Sequence, residues 1–250
     1  MKARGRLIVL FLAAVAVVLA AGTGPALAQS VSIDLGKGGG STSARVIQLF
    51  LLLTVLSVAP GILMMVTSFT RIVVVLSFLR QAIGTSTTPP NMILVSLAMF
   101  LTFFVMAPTF EKSWDQGVRP LINEEISEED AMELAAKPFH DFMMKNVGTH
   151  DLELFADIAK VPAGTGPDAM PYRALVPAFM IGELRRAFEI GFLLYLPFLI
   201  IDMVVASILM SMGMMMLPPV MLALPFKLIF FVLVDGWYMI AGSLVQSFAQ

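Results

Sequence analysis

Hydrophobic residues occur along this chain in long runs separated by short polar stretches. Residues 46–66 form one run, VIQLFLLLTVLSVAPGILMMV, and residues 92–107 form another, MILVSLAMFLTFFVMA. About 20 such residues are enough for a helix to cross a hydrocarbon core roughly 30 Å thick. The pattern therefore predicts apolar helices, which make a first helical hairpin over residues 46–110 with a basic segment, TSFTRIVVVLSFLRQAIG, between them.

Proline and glycine interrupt these runs. Pro60 lacks a backbone donor and Gly61 loosens the following turn, so we expect the first helix to be kinked or broken there. We expect the second helix to stop at Pro108 for the same reason.

Residues 111–176 have an acidic, amphipathic pattern that predicts a small helical insert. Ser127 followed by Asp130 indicates a helix N-terminus, and that helix is expected to end before Pro138. Apolar residues then recur at helical spacing. These stripes pack either on one another or on a partner, and the pattern leaves both open.

A second apolar hairpin is predicted over residues 177–250. Its two segments, Ile190 to Met212 and Val220 to Val245, are joined by MSMGMMMLPP. The helical pattern is broken by Gly213, Pro218 and Pro219, which are expected to shape a loop. Methionine is flexible and suits an irregular surface, yet ordinary core packing remains an equal alternative on composition alone.

Composition places the chain among membrane proteins. Of 250 residues, 58% are hydrophobic and 14% charged, and the mean hydropathy is +0.87. A net charge of -2 gives no electrostatic reason to propose nucleic acid as a partner. The absence of cysteine excludes disulfides and thiolate metal sites.

The first 28 residues have the pattern of a cleavable secretory signal peptide. A basic start precedes an apolar core, LIVLFLAAVAVVLAA, and PALAQS supplies small residues for cleavage after Ala28. An uncleaved anchor helix is the alternative. Residues 29–45 are rich in Gly and Ser and are predicted to be a flexible linker.

Charged residues inside the second hairpin are candidate functional positions. Asp202, Lys227 and Asp235 lie in apolar segments, where a charge costs about 2.5–3.5 kcal/mol on insertion scales. We therefore expect them to be paired or to face protein, and both a proton relay and structural pairing stay open. The sequence assembles no nucleophile–base pair, phosphate loop or metal-binding spacing, so it predicts no enzyme, cofactor or metal.

Basic residues give conflicting signals about topology. Alternation from the signal peptide places Arg71 and Arg80 on the cytoplasmic side, as the positive-inside rule prefers. The same alternation places Arg185 and Arg186 outside and leaves the methionine turn without a basic residue. One explanation is that the second hairpin is surrounded by protein rather than lipid.

Long stretches of the chain resemble the FliP family of flagellar and virulence type III secretion proteins. They are MMVTSFTRIVVVLSFLRQAIGT and PPNMILVSLAMFLTFFVMAP in the first half, and PAFMIGELRRAFEIGFLLYLPF, LIIDMVVASILMSMGMMMLPP and LPFKLIFFVLVDGW in the second. A small departure is Gly182, where the family pattern usually has Ser or Thr. The resemblance covers almost all of the chain beyond the linker.

The resemblance implies an all-α protein whose membrane-associated hairpins form a ring- or cone-shaped homo-oligomer, with the insert on the periplasmic side. The implied homo-oligomer contains several copies of the chain and resembles a pentamer. The other implied partners are FliQ, FliR, further membrane proteins of the export apparatus and unfolded flagellar substrates. The implied location is the bacterial inner membrane, in the flagellar basal body, as a multi-pass protein.

The family's function is that of a pore-forming subunit of the flagellar protein export gate; a proton-conducting coupling subunit of the same apparatus is the alternative. Residue by residue, Met214, Met215 and Met216 match a ring of methionines that closes the channel. The intramembrane charges would pack helices or subunits, with pairing of Asp202 and Lys227 between subunits as one option; the other members of this set are Asp235, Glu183 and Arg185.

Overall fold

The structure, a computed structural model, describes residues 42–85, 87–162, 164–214 and 217–248. The chain divides between Thr54 and Val55 into two units, which are described separately. Within the described residues there are helices and turns but no strand, which confirms the predicted all-α fold. The predicted signal peptide, its cleavage after Ala28 and residues 29–41 of the linker lie outside the described part.

Nine α-helices account for most of the described residues: α1 Thr42–Met65, α2 Phe69–Ile83, α3 Asn91–Ser113, α4 Arg119–Ile122, α5 Glu128–Asn146, α6 Thr149–Ile158, α7 Tyr172–Ser211, α8 Pro219–Leu233 and α9 Gly236–Gln246. A π-helical turn at Trp114–Val118 joins α3 to α4, and a 3-10 turn at Pro167–Ala169 precedes α7.

Two described helices are long and apolar enough to cross a membrane. One is the continuous 32-residue stretch Asn91–Ile122 and the other is the 40-residue α7. Two bent pairs meet the same criterion together: α2 with the Leu49–Met65 part of α1, at 69°, and α8 with α9, at 63°. The described chain therefore has two candidate spans, or up to four if each bent pair forms one.

The first helix is not interrupted where the sequence suggested. α1 begins at Thr42, inside the predicted linker, and continues through Pro60 and Gly61 to Met65. The chain bends sharply afterwards, at residues 66–68, where Val66, Thr67 and Ser68 are buried. A proline removes a single helical hydrogen bond, whereas the buried bend is fixed by packing against the rest of the second unit.

Two other prolines also lie inside helices. Pro108 is within α3, so the predicted stop there is wrong, and Pro138 is within α5, so the predicted end before it is wrong as well. The start of α5 is confirmed, because the Ser127 hydroxyl accepts a hydrogen bond from the Asp130 backbone N–H at 3.2 Å. Helical stability in a folded protein comes mainly from tertiary packing, which here outweighs the local cost of proline.

The larger hydrophobic core surrounds α2. Its buried side chains come from α2, α3, α7, α8 and α9 and include Ile72, Val75, Leu76, Leu79, Leu94, Ala98, Phe198, Phe231 and Leu244. Gly191 lets α7 approach α2 closely, since a Cβ at this position would lie 2.6 Å from the Phe78 ring. Each fully buried side chain of this kind contributes roughly 1.5–3 kcal/mol.

A second core attaches the insert to α7. Met143 from α5 is fully buried with Leu175 and Phe179 from α7. Phe142 adds an edge-to-face contact with Phe179, the ring centroids being 5.9 Å apart. The apolar stripe of α5 is therefore covered at least in part by α7 of the same chain.

Large apolar faces remain uncovered elsewhere. Phe100, Phe103 and Phe104 on α3 are more than half exposed, as are Phe192 and Leu193 on α7. Contiguous exposed apolar surface of this kind indicates contact with lipid or with other proteins.

Candidate functional site

The most deeply buried charges are Arg71 of α2 and Glu183 of α7. The Arg71 guanidinium donates from Nε to Glu183 Oε2 at 2.8 Å and from Nη2 to Oε1 at 2.5 Å. Both side chains are at most 1% exposed. Such a two-point contact matches the planar guanidinium to the carboxylate and neutralises both charges away from water.

The same arginine also holds the end of the described chain. Arg71 Nη1 donates to Ser247 Oγ at 3.0 Å and to the Ser247 carbonyl at 3.3 Å. The guanidinium carbon lies 3.7 Å from the centre of the Phe248 ring, a cation–π contact. Arg71 thus joins α2, α7 and the residues that follow α9.

These contacts change the interpretation of the basic loop. Arg71 is a buried structural residue, and it does not contribute an exposed cytoplasmic charge to the positive-inside count. Arg80 lies at the C-terminal end of α2 and donates to the Asn91 side chain and to the Pro89 carbonyl. Of the two arginines, only Arg80 lies where a basic residue of the loop would be expected.

A second ion pair joins α6 to α7. Arg185 Nη2 donates to Asp151 Oδ1; the Asp151 side chain is 3% exposed and that of Arg185 is 49% exposed. Asp151 Oδ2 is buried and accepts no hydrogen bond within the described residues. A Cβ at Gly182 would lie 3.4 Å from that oxygen. The position where the family pattern usually has a hydroxyl residue therefore faces an unsatisfied carboxylate oxygen.

A third ion pair joins α7 to α8. Lys227 Nζ donates to Asp202 Oδ2 at 2.6 Å, and the lysine side chain is 2% exposed. The pair forms within one chain. The ammonium group also lies near Gly84, which ends α2 with φ +88°, because a Cβ there would be 3.8 Å from Nζ.

Asp235 is separate from this pair. It lies at the bend between α8 and α9, where it is exposed and has a left-handed backbone with φ 50°. It precedes α9, but its side chain caps no backbone N–H of that helix. A left-handed conformation costs roughly 1–2 kcal/mol for a residue with a side chain. Among the described residues, no hydrogen bond or ion pair joins Asp235 to Asp202 or Lys227.

The methionine stretch connects α7 and α8 through a well-defined helix end. Gly213 has φ +75°; its N–H donates to the Met210 carbonyl at 3.1 Å, and the Met214 N–H donates to the Leu209 carbonyl at 3.0 Å. This is the Schellman arrangement, which favours glycine at the left-handed residue.

The far side of the loop is set by proline. Pro218 precedes α8 and Pro219 is its first residue, a position where the missing N–H costs nothing. Met214 is 44% exposed, and Met215 and Met216 lie outside the described residues. The described part of the loop thus has its ends fixed and its first matched methionine accessible.

Two of the paired residues, Arg71 and Asp151, were not predicted from the sequence to be site residues. Arg71 is a single base in an apolar run, and the argument applied to Asp202 would have singled it out. Asp151 gave no such signal, because it lies in an acidic, polar helix. Glu183 and Arg185 were expected to pack helices or subunits, and within this chain each pairs with a residue of another helix.

The fold and these sites define an all-helical membrane protein whose interior charges are paired within the chain. The model of the FliP family matches residues 52–244. The flagellar biosynthetic protein FliP of Caulobacter vibrioides is 58% identical over 226 residues, which cover 90% of this chain and 85% of that protein. The FliP proteins of Rhizobium meliloti, with 55% identity over 230 residues (90% and 94% of the two chains), and Bacillus subtilis, with 55% over 202 (81% and 91%), are similar.

The chain therefore belongs to the FliP family. The resemblance noted in the sequence is confirmed over most of its length.

The Arg71–Glu183 pair yields a prediction about stability. Replacing only Arg71 with Leu leaves the Glu183 carboxylate buried without its partner, which typically costs about 3–5 kcal/mol. The double change Arg71→Leu with Glu183→Leu removes both charges, and we expect it to be more stable than either single variant. Thermal unfolding of the detergent-purified proteins measures the difference. If the double variant loses as much stability as the two single variants together, the two side chains do not act as a pair.

Gly182 yields a second prediction. Gly182→Ser adds a hydroxyl within reach of Asp151 Oδ2, and a hydrogen bond to a charged group contributes about 1.5–3 kcal/mol. We expect Gly182→Ser to unfold at a higher temperature than Gly182→Ala. The alanine variant gains only the advantage of alanine over glycine in a helix, about 1 kcal/mol. In an Asp151→Ala background the advantage of serine over alanine should disappear. If it persists there, the hydroxyl does not act through Asp151.

Proposed function

We propose that this chain is a pore-forming subunit of the flagellar type III protein export gate, which passes unfolded flagellar subunits across the inner membrane as the flagellum grows. The observation that carries the proposal is the methionine loop, held between a Schellman end at Gly213 and the prolines that begin α8. Membership of a family whose relatives are flagellar biosynthetic proteins supports the apparatus to which it belongs.

A ring of such loops would suit a protein channel. Thioether side chains are apolar, so a narrow ring of them resists wetting and the passage of ions. They are also flexible enough to fit around polypeptides of varied sequence. In this proposal Met214, Met215 and Met216 close the channel, and Gly213, Pro218 and Pro219 hold their loop at its constriction.

The lengths and surfaces of the helices support an assembly around this loop. At 1.5 Å per residue α7 is about 60 Å long, roughly twice the hydrocarbon core of a bilayer. One end of this helix would therefore extend well beyond that core. Exposed apolar faces such as that of α3 would contact further copies of the chain, FliQ and FliR in a cone raised toward the periplasmic side, within the basal body. The proposed role is structural and requires neither an enzyme activity nor a cofactor.

The gate proposal predicts a leak when the methionines are shortened. Replacing Met214, Met215 and Met216 with alanine should increase ion leakage across the membrane while export is at least partly retained, because the ring becomes wider and wettable. Met239→Ala, at an exposed position of α9, is the matched control and should leave the membrane tight. Membrane potential and secreted flagellar subunits are measured in the same cells. Tight membranes with unchanged motility in the triple variant would contradict the gate.

A proton-conducting coupling subunit is the second candidate. It is favoured by Asp202 Oδ1, which is buried without a hydrogen-bond donor among the described residues, beside Lys227. The exposed position of Asp235 and its separation from this pair argue against a continuous relay.

The two candidates predict different effects of neutral substitutions. If Asp202 serves only to neutralise Lys227, Asp202→Asn should reduce the amount of assembled protein, and Asp202→Leu with Lys227→Leu should restore assembly and export. Asp235→Asn should leave both unchanged. Assembly is measured by gel filtration of the purified complex, and export by secreted subunits. Normal assembly with loss of export in Asp202→Asn and in Asp235→Asn would favour proton conduction instead.

A further inference from the structure

A polar cavity of about 510 Å³ opens where α2, α5, α7 and α9 meet. Arg71, Lys145 and Arg186 line it together with Ser243 and Gln246. Its volume is in the range of small-molecule sites, roughly 300–1,000 Å³. Arg71 belongs to the ion pair with Glu183, whereas Lys145 and Arg186 have no role in the described ion pairs or in the methionine loop.

Cationic groups outnumber carboxylates around the cavity. Arg71 is neutralised by Glu183, but neither Lys145 nor Arg186 forms an ion pair with any described residue. Arg186 lies near both Arg71 and Glu183, so it has a neighbouring charge of each sign. Glu189 is the carboxylate that lines the cavity, and it is exposed. The arrangement therefore leaves an excess of positive charge that an anion would neutralise.

The donors suit a phosphate group. Arginine and lysine bind phosphate oxygens through charge-assisted hydrogen bonds, and they reach this cavity from different helices. Ser243 and Gln246 add neutral donors from α9. A tetrahedral anion offers oxygens in several directions, which matches donors that converge from several sides better than a planar carboxylate does.

The surroundings indicate where such a phosphate would come from. Phe188, Phe192 and Leu193, next to the cavity-lining residues of α7, are 58–65% exposed. The cavity thus lies between the charged end of the α5 helix and an uncovered apolar surface. Basic pockets between membrane helices can bind anionic lipid headgroups. We propose that the cavity binds the phosphate group of an anionic phospholipid, with its acyl chains along the exposed face of α7.

The test compares headgroups on the protein purified in detergent with its native partners retained. We expect short-chain phosphatidylglycerol to raise the unfolding temperature, because a ligand that binds only the folded protein stabilises it. Short-chain phosphatidylcholine, which has no net charge, should raise it less. Inorganic phosphate is the third arm, and protection by it alone would show that the source is a soluble anion and would overturn the lipid assignment.

A double variant tests the site itself. Lys145→Gln with Arg186→Gln should lower the affinity for phosphatidylglycerol at least tenfold. The matched control, Lys137→Gln with Arg173→Gln, makes the same charge change at exposed positions of α5 and α7 outside the cavity lining and should bind as the unaltered protein does. Undiminished binding by the cavity variant would overturn the proposal.

The unaltered protein provides a measurement that does not depend on folding of the variant. If phosphatidylglycerol and phosphatidylcholine protect it equally, and inorganic phosphate has no effect, the cavity does not select an anionic headgroup and the proposal is wrong. Since the readout is lipid binding and not export, its failure would leave the gate proposal unaffected.

Discussion

Neutralisation of charges inside apolar helices is the constraint on which this structure depends. A buried charge without its partner is strongly destabilising, so each one fixes the position of another helix. All three interhelical ion pairs in the described chain involve α7, through Glu183, Arg185 and Asp202. Their partners lie on α2, α6 and α8. One 40-residue helix is therefore held to the first hairpin, to the insert and to its own hairpin partner at separate points along its length.

The order of these contacts along α7 separates two functions of the helix. Its first part is buried against the insert and α2, where Phe179 and Glu183 are fully enclosed. Its last part, after the Asp202–Lys227 pair, is largely exposed and ends at Ser211, two residues before Gly213. An attached first part and an exposed last part that leads to the methionine loop would suit the proposed channel.

Hydrophobic patterning predicted the helices of this protein but not their limits. The runs at 46–66 and 92–107 became parts of α1 and of α3, whereas Pro60, Pro108 and Pro138 did not end their helices because packing outweighs the loss of one hydrogen bond. The Gly213 and Pro219 signals matched helix ends because each is favoured by local backbone geometry alone.

Partner assignment lay beyond the sequence. Arg71 and Glu183 are 112 positions apart, and no local pattern connects them. Asp202 and Lys227 were recognised as charges that need partners, but whether they meet within a chain or between copies depends on how α7 and α8 pack.

The central claim is that these charges are neutralised within single chains. It is tested most directly by exchanging the charges of the third pair in cis and in trans. One strain carries Asp202→Lys and Lys227→Asp in the same chain, and another co-expresses two chains with one substitution each; motility and the amount of assembled protein are compared. The account predicts recovery only when both substitutions share a chain. Recovery also in the strain with two separately substituted chains would show pairing between copies and would contradict it.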